Sequence, residues 1–251
     1  MRIKIMSFNI QHCRNYNFPL EDRIDFDVTA NAIRKYDPDI VGLQEVRGKG
    51  ENPKYTDQAP ELAARTEMFY AFAPAFTVPH GGPYGNALLS RFPILQAQTV
   101  LIPDPAEPAY DGYYETRCVL MAEIDVAGGL RVCVSHFGLN PDEQINAFRA
   151  AEECIRENRC VLMGDMNLTP ENPLLLPLRK RLFDTAQAFP TPRLSFPSQA
   201  PDRKIDYIFT SRDLEVLSAD IPAETVSDHR PYLVQLRLPE NGGRPAPRPQ
   251  A

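Results

Sequence analysis

Apolar and polar positions alternate from the first residues of the chain. In MRIKIMSFNI, Ile3, Ile5 and Phe8 alternate with polar neighbours, and the stretch reads as a strand ending near Asn9. Ile24, Val28, Ala32, Ile33 and Tyr36 then recur at helical spacing. After the turn DPD, the run IVGLQEV (40–46) has the character of a buried strand whose last polar residues are Gln44 and Glu45. A short helix is expected over 61–69, followed by strand-like runs at YAFAPAF, NALLSRF, TVLIP, CVLMAEIDV and LRVCVSHF. Asn140 can cap a helix with Pro141 in its first turn and Glu143 completing a capping box. Ile145, Phe148, Ala151 and Ile155 make the expected inward face of that helix. The apolar run VLMGD (161–165), a helix over 174–183 and strands at IDYIFTS, LEVLSADI and YLVQLRL complete the pattern.

Strands outnumber helices and come in runs, a mixed α+β pattern unlike the strict alternation of a doubly wound sheet. No linker divides residues 1–239, which are expected to form one catalytic-sized unit. The segment ENGGRPAPRPQA (240–251) lacks apolar periodicity and is expected to be disordered.

Composition narrows the picture. With 251 residues and 43% hydrophobic content, the chain can bury a core without disulfides or a structural metal. The 25 prolines predict many ordered loops. A net charge of −6 argues against broad, sequence-independent duplex binding, because phosphate neutralisation supplies most of that affinity. Cys13, Cys118, Cys133, Cys154 and Cys160 are odd in number and form no CxxC pair, which fits reduced, partly buried thiols. No secretory h-region and no apolar window of membrane-spanning length is seen, so a cytoplasmic monomer with no obligatory membrane partner is the expectation.

The chemistry concentrates where the apolar runs stop. Asn9, Glu45, His136, Asp165 with Asn167, Asp206, and Asp228 with His229 all stand at such ends. Each has a bland reading: a strand terminus, a solvated carboxylate, a core histidine, an Asx-turn, a cap. Together they are harder to dismiss, since a carboxylate ending a core strand is partly desolvated and needs a cation or hydrogen bonds. Folding a sheet brings its strand ends together, so these groups can converge in one cleft. An oxygen-rich, histidine-poor set suits a hard cation such as Mg²⁺ or Mn²⁺, and no cysteine–histidine cluster has zinc-ligand spacing. Residues two apart in a strand face the same side, so Asp165 and Asn167 can share one water.

The ordered set SFNIQ (7–11), LQEV (43–46), GNALLSRFP (85–93), SHFGLN (135–140), GDMN (164–167), KIDYIF (204–209) and SDHRP (227–231) resembles the endonuclease/exonuclease/phosphatase superfamily. That superfamily includes pancreatic-type deoxyribonucleases, exonuclease-type abasic-site endonucleases, neutral sphingomyelinases and inositol polyphosphate phosphatases. The resemblance implies a four-layer αββα sandwich, with two central mixed β-sheets flanked by helices and an active site at one edge. It implies that Glu45 is the main metal-binding carboxylate, assisted by Asn9 and by Asp228 through water. Asp165 and Asn167 would position and activate the attacking water, Asp206 would orient His229, and His136 would donate to a non-bridging phosphate oxygen. Whether Asp165 or His229 takes the proton, and whether one metal or two is bound, is left open.

The implied activity is divalent-metal-dependent phosphoester hydrolysis. A phosphodiesterase acting on nucleic acid or on a small-molecule or lipid diester leads. A sugar or inositol phosphomonoesterase is the alternative within the enzyme class, and a phosphate-binding module without chemistry is the alternative outside it. Asn86 and Arg117 are further candidates for substrate contact, with a turn residue and a Glu115 surface pair as their structural readings. His80 and Tyr84 fall in the glycine-rich HGGPYGN, read as an ordinary loop. The tyrosines of 103–117 are expected to pack that loop onto a sheet.

Overall fold

The computed structural model describes residues 1–239 apart from positions 17, 19 and 22. Its first half runs β1 (Arg2–Asn9), α1 (Phe26–Tyr36), β2 (Ile40–Arg47), α2 (Gln58–Thr66), β3 (Phe69–Val78), β4 (Gly82–Ser90) and β5 (Ile94–Leu101). Then come β6 (Cys118–Ile124), β7 (Leu130–His136), α3 (Pro141–Cys154), β8 (Cys160–Asp165), α4 (Leu175–Arg181) and β9 (Phe183–Asp184). The chain closes with β10 (Asp206–Thr210), β11 (Glu215–Asp220) and β12 (Tyr232–Arg237). The expected tail, 240–251, lies outside the described residues.

Two six-stranded sheets result, ordered β11-β12-β1-β2-β4-β3 and β5-β6-β7-β8-β10-β9. Each is mixed, with one parallel pair, β1–β2 or β7–β8, among antiparallel neighbours. The two-residue periodicity of a strand decides the layers. Ile3 and Ile5 pack between the sheets with Val132, Val134, Val161, Met163, Ile208 and Val234. Met6 and Phe8, of opposite parity, pack with Ala30, Ile33 and Leu62 of α1 and α2. Cys133, Leu162, Tyr207 and Phe209 meet Ala147, Ala151, Leu175 and Leu178 of α3 and α4. The architecture is therefore the four-layer α+β sandwich, helix–sheet–sheet–helix.

Helix boundaries follow their caps. The Asp25 side chain accepts from the Val28 amide at the start of α1, and Asn140 and Glu143 complete the capping box of α3. Helix α2 begins at Gln58, ahead of the expected 61, because buried Gln58 is pinned at both ends. Its Nε2 donates to the His12 carbonyl at 2.6 Å, and its Oε1 accepts from the Arg47 amide at 2.9 Å. The inward face of α3 differs from the expectation at one position. Ile145 is exposed, and Gln144, Ala147, Ala151 and Cys154 are buried instead. Gln144 takes the inner place because its amide donates to the carbonyls of Gly138, Leu139 and Asn167 beneath the helix. All five cysteines are buried free thiols.

Gly164 fixes the approach of β7 to β8. Its φ is +147°, and a Cβ there would lie 1.8 Å from the Ser135 carbonyl oxygen. Replacing it with Ala is expected to cost about 3 kcal/mol or more in urea unfolding, from a glycine-only conformation plus a backbone clash. A cost below about 1 kcal/mol would contradict this account of the glycine in GDMN.

Candidate active site

The alternation that builds the core also aims the polar strand ends. Asn9 shares parity with Ile3 and Ile5, His136 with Val132 and Val134, Asp165 with Val161 and Met163, and Asp206 with Ile208. All four side chains therefore point into the gap between the sheets at one end of the sandwich. The registers set them abreast, with Asp165 opposite both His136 on β7 and Asp206 on β10. Asn9 bridges the sheets, its Nδ2 lying 3.0 Å from Glu45 Oε1 and 3.2 Å from Asp165 Oδ2.

Glu45 reaches the gap by another route. Val41 and Leu43 face the helices, so unbroken alternation would turn Glu45 the same way; Val46, of the opposite parity, faces them instead. The strand register shifts between Leu43 and Val46, and Glu45 itself adopts a left-handed φ of 59°. That irregularity places its carboxylate in the cleft. Gln11, His12 and Cys13 form a second strained stretch, with φ of 42°, 53° and 59°. This turn brings Gln11 Nε2 within 2.9 Å of Asp228 Oδ2 and His12 Nδ1 within 3.7 Å of Glu45 Oε2.

Asp165 and Asn167 lie side by side, though not through strand alternation. Asn167 lies beyond β8 at φ 49°, and its amide donates 3.0 Å to Asp165 Oδ1, an Asx-turn. Its side-chain Nδ2 donates to the Phe137 carbonyl at 2.9 Å. The turn and the paired side chains are one device, since the turn is what sets them together.

His229 is the centre of the charge network. Its Nδ1 lies 2.9 Å from Asp206 Oδ2 and its Nε2 lies 3.4 Å from Asp165 Oδ2. Burial disfavours its charged form, but the Asp206 and Asp165 carboxylates outweigh burial and lift its pKa to about 10. Burial likewise raises the Asp165 carboxyl, to about 7, with His229 opposing and Asp206 adding to the rise. Asp228 is raised by burial first, with His229 opposing and Glu45 contributing a like charge. His136 moves the opposite way, well below the usual imidazole range, through burial and then the charges of Arg117 and His229.

Two groupings are candidates to hold a cation. Asp165, Asp206 and His229 offer ligand atoms within 4.8 Å of one another. There, however, both His229 ring nitrogens are already committed to carboxylates, and the imidazolium is itself the counter-charge. Glu45 and Asp228 fit a hard cation better. The Glu45 charge adds to the cost of ionising Asp228, and both carboxylates face the same cleft, where the Asn9 Nδ2 donates to Glu45 Oε1.

The cleft has a volume of about 600 Å³ and is lined by Glu45, His136, Asp165, Asn167, Asp228 and His229. Among the other candidates, Arg117 lines it too, but from a buried position. Its Nη1 lies 2.9 Å from Glu115 Oε1 and 2.8 Å from His136 Nδ1, so the expected Glu115 pair exists and is not at the surface. Asn86 does not line the cleft: it is buried, and its Nδ2 donates to the Cys118 carbonyl at 2.9 Å, holding the start of β6. Tyr84 belongs to β4 rather than a loop and lines the cleft, while exposed His80 pairs with Glu51 at 2.6 Å. Tyr114 anchors its loop on Asp142, whereas Tyr113, 65% exposed, stands at the cleft mouth.

Sequence reasoning did not single out Gln11, His12, Phe196 or Arg203. Arg47 stacks on Tyr55 and Tyr84 at 4.4 and 5.5 Å, and Phe196 packs 4.7 Å from the His229 ring and 5.3 Å from the Arg203 guanidinium. Arg47 falls in the stretch 46–60, whose basic residues Arg47, Lys49 and Lys54 the sequence offers for phosphate contact, and it lines the cleft.

A family model described as the endonuclease/exonuclease/phosphatase family matches residues 6–229, from β1 to the catalytic histidine candidate. The chain belongs to that family. Members of the endonuclease/exonuclease/phosphatase family are hydrolases acting on phosphoester bonds. The uncharacterised protein YbhP of Escherichia coli (strain K12) is 27% identical over 229 residues, 83% of this chain and 87% of that protein. Among solved structures, an endonuclease/exonuclease/phosphatase from Beutenbergia cavernae superposes with a TM-score of 0.75 at 23% identity, covering 94% of this chain and 72% of that one. The mannosyl-6-phosphatase Bt3783 of Bacteroides thetaiotaomicron gives 0.73 at 16% identity, covering 94% of this chain and all of that one. Both similarities are of fold. No helix among the described residues is long and apolar enough to cross a membrane.

Proposed function

We propose that the chain is a divalent-cation-dependent phosphodiesterase that hydrolyses its substrate by in-line attack of a water held at Asp165 and Asn167. The observation that carries this reading is the run Asp206–His229–Asp165 on the floor of a cleft that also presents Glu45 and Asp228. Magnesium or manganese held by Glu45, Asp228 and Asn9 would supply Lewis acidity toward a phosphoryl oxygen.

The residues divide the remaining work by their charge states. Asp165, an acceptor with a carboxyl lifted to about 7, orients the water and takes its proton. His229, held as an imidazolium by Asp206, donates from Nε2 to a phosphoryl oxygen and is too weak an acid to surrender its role at neutral pH. His136 offers a second donor, and Asn167 holds the water beside Asp165. A diester is favoured because apolar groups flank this polar floor, with Phe76, Val78 and Pro79 at the end of β3 and Phe196 and Ile205 in the segment that leads into β10. They offer surface to an organic group on either side of the phosphorus.

Hydrolysis of bis-p-nitrophenyl phosphate and p-nitrophenyl phosphate, each with Mg²⁺, Mn²⁺ or chelator, tests the reading. Chelator-sensitive turnover of the diester is expected, with single-stranded nucleic acid, small-molecule diesters and phospholipids as the next substrates. Turnover of the monoester alone would move the assignment to a phosphatase, and metal-dependent phosphate binding without turnover of any of these would make it a binding module. A cation held by Glu45 and Asp228 must displace a proton from Asp228, and its charge favours the ionised form of neighbouring Asp165; both carboxyls are raised. Stabilisation by Mg²⁺ in thermal unfolding is therefore expected to grow as pH rises from 5 to 8, and to vanish in Glu45→Gln.

A further inference from the structure

We propose that Arg117 dictates which ring nitrogen of His136 carries the proton, and so makes His136 a neutral donor that faces the cleft through Nε2. A guanidinium has only donors. With Arg117 Nη1 2.8 Å from His136 Nδ1, that nitrogen must be the acceptor, and the single proton of the neutral ring stands on Nε2. Turning the ring over would replace this contact with a carbon facing the guanidinium and lose the bond.

The surroundings agree with that assignment. Nε2 lies 3.5 Å from Asp165 Oδ2, an acceptor, and 3.3 Å from Asn167 Nδ2. A ring accepting from both Arg117 and Asn167 would carry no proton at all, so the Asn167 contact is proximity. One of the two Asn167 Nδ2 protons goes to the Phe137 carbonyl, 2.9 Å away. Arg117 is itself held, 9% exposed, by Glu115, whose Oε2 accepts from the Tyr113 hydroxyl at 3.0 Å. The two imidazoles of the cleft thus differ by design of their Nδ1 partners. A carboxylate on His229 makes it a cation, and a guanidinium on His136 keeps it neutral. Depression of the His136 pKa by burial and by Arg117 points the same way.

Arg117 acts here through His136, as a positioning residue, and the catalytic consequence rests on the phosphoesterase reading above. The structural claim does not, because it can be read without substrate. In ¹⁵N-labelled protein, two-bond ¹H–¹⁵N correlations of the ring, assigned with His136→Gln, should show Nε2 protonated and Nδ1 bare at pH 7. Cooling to slow guanidinium rotation should reveal a ¹⁵N–¹⁵N coupling across the Arg117–His136 bond. A wild-type ring protonated on Nδ1, or a missing coupling with the guanidinium signals resolved, overturns the proposal without any variant. In Arg117→Met the Nε2–H form should give way to a mixture, and Arg117→Lys should restore it in part. A folded Arg117→Met that keeps the wild-type ring signals also overturns it. On the diester substrate, Arg117→Met should lower kcat about 10- to 100-fold with KM little changed, as for the partners that orient other catalytic imidazoles. A rise in KM at constant kcat would make Arg117 a substrate contact instead.

Discussion

Asp165→Asn is expected to lower kcat on a phosphodiester by about 100- to 10,000-fold while leaving a folded protein. The carboxylate is the acceptor on which Asn9, Asn167, His136 and His229 converge, and it is 1% exposed. An amide in its place turns one of two acceptor atoms into a donor, which no longer takes a proton from water. Stability carries a separate signature. The Asp165 pKa is above its unfolded value, so its contribution to folding is present below about pH 4 and is lost as pH rises through about 7. The Asn variant lacks that loss. Between pH 4 and 8 the stability difference in metal-free protein should shift in favour of Asp165→Asn, by at most roughly 4 kcal/mol. Urea unfolding at both pH values measures it, and a shift toward the wild type would show that Asp165 is not the group burial has raised. Turnover equal to wild type would remove Asp165 from the mechanism.

The legible part of this site is the part governed by strand parity. Asn9, His136 and Asp165 each end an apolar run and Asp206 begins one, and the alternation that fixes their side is displayed directly in the sequence. The less legible part depends on broken parity and on pairing register. Nothing local in LQEVR announces that Glu45 is left-handed, or that the resulting shift brings Arg47 into the same cleft. The turn at Gln11–Cys13 contains no glycine, so its positive φ values are held by tertiary contacts, such as Gln58 on the His12 carbonyl. HGGPYGN reads as a loop because glycine and proline weaken strands. Pairing overrides that, with Gly82 opposite Val78 and Tyr84 opposite both Phe76 and Arg47. Arg117 could be placed only once the β6–β7 register, with Val119 opposite Ser135, set its neighbour at His136. Residue type pointed to a phosphate or a surface carboxylate. Register produced a buried imidazole.

His229→Ala should be both inactive and markedly less stable, and the loss of stability should trace to Asp206. That carboxylate is fully buried, its Oδ2 lies against His229 Nδ1, and its Oδ1 has no hydrogen-bond partner among the described residues. Removing the imidazole leaves a lone charge in the core, a change that costs about 3–5 kcal/mol. In the His229→Ala background, Asp206→Asn removes the orphaned charge and should recover most of that loss without recovering turnover. In the wild-type background the same Asp206→Asn change should destabilise, so the double-mutant cycle reads a large coupling. The alkaline limb gives an independent check. The His229 pKa is raised above its unfolded value, so its stabilisation is fully present below about pH 6.5 and is lost as pH rises through about 10. His229→Ala should lack this alkaline component. If Asp206→Asn costs the same with and without His229, the two residues are not the coupled pair, and the charge state that keeps His229 a donor to phosphate would have to come from Asp165 alone.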